Sequence, residues 1–178
     1  YNIANDNHSH YEGPMINTNQ QDHASLAAVY SELPFGEQLV LWGIRMWVRA
    51  FNQGDNNHSV LQKGFSLAGV AEAYGALDAI MNVLSQSGQG VVDIRCPCSS
   101  EISFDEHRII GALAACQYEK HYSSRDAYLS VWLPPAASQV AYWHVFEFAN
   151  VLKKGGLMLN LRVWARDLSF ESEFQGFG

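Results

Sequence analysis

Cys96-Pro97-Cys98 is followed by His107, nine residues after the second cysteine. Thiolate and imidazole are the ligands zinc favours, and cysteines two to four residues apart form the usual first half of a zinc site. One intervening residue makes this pair tighter than that pattern. Pro97 fixes its own backbone angle and biases Cys96 towards an extended shape. If Ser103 caps a helix, His107 takes the fourth helical position, and a loop feeding the first turn would bring both sulfurs near it. The partial positive charge of that helix end would also lower a thiol pKa.

Three chemistries suit this stretch. The pair is a structural turn with two ordinary thiols. Or it binds a metal (zinc, or iron) through Cys96, Cys98 and His107, with Glu101, Asp105 or an N-terminal histidine completing the shell. Or it exchanges disulfides, and a disulfide in so short a loop would be strained and more reducible. The spacing ranks them in that order. Cys116 belongs to none of them. It lies nine residues past His107, on the opposite side of one helix and about 13 Å along its axis. It continues the stripe Ile109, Leu113, Cys116 and reads as core.

Other constellations are incomplete, and no catalytic or cofactor-binding residue is assigned. His144-x-x-Glu147 offers one helical pair where a carboxylate-bridged site needs two Glu-x-x-His pairs and more glutamates. Together with Asn150 and Lys154 it reads as a solvated face. His8-x-His10, with Asp6, Asp22 and His23, reads as part of a polar tail. Ser66 lacks the strand-to-helix turn of a nucleophile elbow. Lys153-Lys154-Gly155-Gly156 lacks the frame of a phosphate loop. Gly88-x-Gly90 has no βαβ unit around it.

The elements that must position the thiol turn are mostly helical. Residues 1–23 are a polar tail without apolar period, residues 24–165 a helical domain, and residues 166–178 a second tail. A first short helix is expected from Ala24. The next begins at Pro34 and places Val40, Ile44, Trp47 and Phe51 at helical spacing, with Arg45, Arg49 and Asn52 as a narrow polar strip. Apolar over most of its circumference, it belongs at the centre of a bundle. A helix follows after Asn56 or Asn57, then one carrying Val70, Tyr74, Leu77, Met81 and Leu84 on one face. Ser103-x-x-Glu106 has the capping-box pattern. A shorter helix stops at Pro134-Pro135, and a long one ends at Gly155-Gly156. Val91–Arg95 is β-branched, and Leu157, Leu159, Leu161 and Val163 alternate, so these two segments predict a small ribbon. The fold class is mainly α: one domain of about five to seven helices packed around Leu39–Phe51, with a minor two-stranded β-ribbon.

A net charge of −7 with 11 Lys+Arg leaves no dense basic face, which argues against nucleic acid and against an anionic membrane surface. No run reaches the roughly 18 apolar residues of a membrane span; "LVLWGI" is stopped by Arg45. Three cysteines, an odd number, make no disulfide framework, so the expected location is a reducing cytoplasm.

The order "LVLWGIRMWVRAF", "GFSLAGVAEAYGALDAIMNVL" and "DIRCPCSSEISFDEHRIIGALAACQ" resembles a group of small uncharacterised bacterial proteins, mostly alphaproteobacterial. They share an aromatic, arginine-bearing first helix and a cysteine-proline turn before an acidic-capped helix. The likeness covers roughly residues 35 to 155, and it implies a bacterial helical protein without implying catalysis. The expected role is a non-enzymatic interaction or regulatory domain, with a protein partner or a second copy docking on aromatics such as Tyr122, Tyr128, Trp164 and Phe170. The alternative is a metal-binding or thiol-redox protein acting through Cys96 and Cys98.

Overall fold

The computed structural model describes residues 29–54, 58–118 and 128–161. A 3-10 turn, Tyr30–Glu32, leads into α1 (Phe35–Gln53). Then come α2 (His58–Leu67), α3 (Ala73–Ser87), α4 (Phe104–Gln117) and α5 (Pro135–Lys154). The mainly helical class is borne out. The two tails, the first residues of the helix expected from Ala24, its candidate caps Asn56 and Asn57 and residues 119–127 lie outside the described residues; the helix expected after those asparagines forms as α2, and the end of the segment expected from Ala24 is the 3-10 turn.

Local signals set the helix ends. Pro34 is the N-cap of α1, and Gly54 closes it at φ 65 with its N–H donating back to Ala50 and Phe51. Glycine takes that left-handed conformation without the Cβ penalty other residues pay. Pro135 opens α5, where its missing N–H costs nothing, and Lys153 and Lys154 complement the negative end of the helix dipole. Thus Pro134-Pro135 both ends one segment and starts the next.

The most extensive packing is between α3 and α5, with α4 also laid along α5 and α1 touching α2, α3 and α4. Buried alanines at 73 and 76 on α3 and at 141 and 149 on α5 allow these axes to approach closely. The expectation that Leu39–Phe51 forms the bundle centre is corrected here. The most fully buried helix is α4, with 11 of its 14 residues buried, including every residue from Ile109 to Gln117. Its small residues Gly111, Ala112, Ala114 and Ala115 let neighbouring helices close in. Helix α1 keeps an open side: Phe51 is 60% exposed rather than core, and stacks on Trp47. Arg45, expected in a polar strip, is instead 1% exposed. Tyr128, expected at the surface, is buried.

The β-ribbon is the other correction. Among the described residues neither expected segment pairs as a strand. The alternation is real: Val92 and Ile94 face inward between exposed Asp93 and Arg95, and Leu159 is buried between exposed Met158 and Asn160. What differs is where the backbone bonds go. The N–H groups of Asp93 and Arg95 donate to the Asp105 and Glu106 carboxylates at 2.8 and 3.1 Å. The N–H groups of Leu159 and Asn160 donate to the Gln117 and Glu37 side chains, both at 2.8 Å. Helix-borne side chains take the place of a partner strand, so these backbone donors are satisfied without a ladder.

Candidate functional site

The chain enters the thiol turn along Val91–Arg95 and leaves it into α4. Cys96 O accepts from Ser99 N at 3.0 Å, closing a tight turn with Pro97 and Cys98 at its centre. Proline favours the first central position of such a turn because its φ is already set. Ser103 then caps α4 by the full capping box: its Oγ accepts from Glu106 N at 3.1 Å, and Ser103 N donates to Glu106 Oε2 at 2.9 Å. Ser103 Oγ also donates to the Asp93 carbonyl, fastening the incoming segment to the outgoing one.

Beneath the turn lies an ion pair that sequence reasoning missed. Arg45 Nε and Nη2 donate to Glu106 Oε1 and Oε2 at 2.7 and 2.9 Å, and both side chains are buried. Arg45 also donates from Nη1 to Ser99 O and from Nη2 to Glu101 O, each at 2.7 Å. The Tyr30 ring covers the guanidinium at 5.2 Å, and Tyr30 N donates to Ser100 O at 2.8 Å. Glu106 collects four donors: two from Arg45, one from Arg95 N and one from Ser103 N. A carboxylate has about four acceptor positions, so its capacity is filled. Burying two charges is tolerable only under such full pairing. The sequence shows only Arg45 within a mostly apolar stretch of α1 and a glutamate at N3 of α4, and neither names the other as its partner.

On this platform Cys96 and Cys98 are both exposed, with their sulfurs 2.7 Å apart. Their thiols are not equivalent. The side-chain contact with Cys98 holds the Cys96 pKa below the ordinary thiol value, helped by the Cys98 and Ser99 backbone N–H groups and by the Arg45 charge. Cys98 is pushed up, first by that same contact and then by the negative charge on Cys96. Cys96 is thus the more acidic of the two thiols, and the thiol that ionises more readily is the better candidate nucleophile.

His107 does not stand with them at the surface: it is 1% exposed, on the enclosed side of α4. Among the described residues no group of three or more His, Cys, Asp or Glu side chains is gathered closely enough to hold a metal ion. Cys116 is buried at the far end of α4. His144 and Glu147 lie 4.0 Å apart on the open side of α5. No helix among the described residues is long and apolar enough to cross a membrane.

Fold and site together define a helical domain that displays two neighbouring thiols on a turn anchored to a buried ion pair. No family model, curated protein or solved structure matches the chain.

Proposed function

We propose that this chain is a regulatory helical domain whose state is set by the Cys96–Cys98 pair, cycling between dithiol and disulfide. The observation that carries this reading is that two exposed free thiols stand side by side on a turn whose flanking carbonyls are tied to buried Arg45. The co-reactant is a disulfide, on a partner protein or a small molecule. The Cys96 thiolate attacks one sulfur of that disulfide, forming a mixed disulfide and expelling one thiolate. Cys98 loses its proton and attacks Cys96 Sγ, the Cys96–Cys98 bond forms, and the second thiolate leaves. Two electrons pass to the partner disulfide, and two thiols are released once the leaving thiolates are protonated. A reducing compartment such as the cytoplasm resets the pair.

A docking partner suits this site. Val91 is 91% exposed and Phe104 53% exposed, on the two segments that the Asp93–Asp105 bond ties together. Apolar and aromatic side chains beside a reactive turn are the surface a partner protein or a second copy would cover.

The test uses a chromogenic aromatic disulfide. In the wild-type chain Cys96 and Cys98 should release two equivalents of the aromatic thiol and retain no adduct. Cys98→Ala should release one equivalent and keep one on Cys96. A wild-type chain that retains one adduct on each cysteine contradicts the proposal. So does one equivalent of zinc that copurifies with the wild type and is lost in Cys98→Ala, which moves the reading to metal binding.

A further inference from the structure

A second site lies on the other side of α1, away from the thiol turn in sequence and in chemistry. Between the end of α1, the start of α2 and the middle of α3 is a cavity of about 420 Å³, lined by Trp47, Phe51, His58, Leu61, Asp78 and Asn82 among others. The Trp47 and Phe51 rings stack with centroids 5.1 Å apart and planes 13° from parallel. Trp47 Nε1 donates to Asp78 Oδ1 at 2.7 Å, and Asn82 Nδ2 donates to Asp78 Oδ2 at 3.1 Å. These two bonds fix the carboxylate in the cavity wall and leave about half of its acceptor positions open.

The charge in this cavity is one-sided. Among the described residues no lysine or arginine lines it and Asp78 makes no ion pair, while His58, the other titratable side chain of the lining, is hydrogen-bonded to the Tyr74 hydroxyl. An anion would meet repulsion from Asp78. A neutral apolar ligand would strip water from the carboxylate and return nothing. A metal ion would find one carboxylate and one imidazole, and among the described residues no group of three or more His, Cys, Asp or Glu side chains gathers there. An organic cation fits both features: the carboxylate supplies charge, and the face of an aromatic ring attracts an ammonium group. Phe51 strengthens this argument, since 60% of it stands in solvent at the cavity rim where folding gains little from it.

We propose that this cavity binds a small organic ammonium compound, with its positive centre between the Asp78 carboxylate and the Trp47–Phe51 rings.

The probe is choline, titrated into the full chain and followed through the Trp47 indole N–H resonance. Its partner is 3,3-dimethylbutan-1-ol, which has the same shape without the charge. Choline should shift the resonance saturably, and the alcohol should bind at least about tenfold more weakly. Asp78→Asn keeps an acceptor for the Trp47 indole and should weaken choline about tenfold, while Phe51→Leu, at an exposed position, should weaken it several-fold with thermal stability unchanged. Equal binding of choline and the alcohol overturns the proposal. So does the absence of a saturable shift in the wild type, or a Phe51→Leu variant that binds choline as the wild type does. None of these outcomes bears on the thiol pair, whose test reads a different chemistry at a different surface.

Discussion

The Arg45 guanidinium and the Glu106 carboxylate meet in a two-point pairing, 2.7 and 2.9 Å, across 61 residues of chain. The pair joins α1 to the first turn of α4, and through the Ser99 and Glu101 carbonyls it also sets the path of the thiol turn. Structure and chemistry share one anchor.

Removing half of that anchor should be severe. Arg45→Met leaves Glu106 charged, buried and short of two donors, and the expected loss is about 3–5 kcal/mol in urea unfolding. Arg45→Lys should also destabilise, because a single ammonium cannot reproduce the fork that reaches both oxygens and two carbonyls. A stability for Arg45→Met within about 1 kcal/mol of wild type would mean the pair contributes far less than its geometry implies.

The pH dependence of the thiols follows from their opposite shifts. A lowered Cys96 pKa keeps its thiolate populated at pH values where an ordinary thiol, near 8.5, is protonated. As pH falls, Cys96 should therefore stay reactive further down than Cys98. Cys98→Ala removes the largest cause of the lowering, so the midpoint of the Cys96 alkylation rate against pH should move upward. Mass-resolved iodoacetamide labelling across a pH series measures this, and an unmoved midpoint would show that the Cys98 side chain does not hold the Cys96 pKa down.

Gln117 should be the second polar keystone. It is buried at the end of α4, where Nε2 donates to Leu157 O at 3.0 Å and to Ala149 O at 3.3 Å, and Oε1 accepts from Leu159 N at 2.8 Å. Gln117→Leu keeps much of the volume but strands the Leu159 N–H, so a loss of at least about 2 kcal/mol in denaturant unfolding is expected. An effect below about 0.5 kcal/mol would mean that the 157–161 segment is held by its apolar side chains alone.

The features legible in the sequence were those whose cause is local. The Ser103-x-x-Glu106 box needs residues three apart and forms as expected. Leu77, Met81 and Leu84 are buried on the face their spacing implied. The tight turn at Pro97 needs only its own residues. The Arg45–Glu106 pair was not legible, because polar residues at helical spacing look the same whether water or a distant carboxylate receives them. The ribbon was misread for a related reason: alternation reports which side chains face inward, not whether a strand or a side chain such as Gln117 takes the backbone bonds. Tyr128 follows too short a stretch for its inward face to be read.

A redox titration of the full chain against buffers of graded thiol–disulfide potential, with the Cys96–Cys98 bond quantified by mass spectrometry, tests the central claim most directly. A single two-electron transition confined to this pair, at a potential above the roughly −300 mV of structural disulfides, is the expected result. Thiols that stay reduced across the whole series, or a transition whose midpoint lies below that potential, would contradict it.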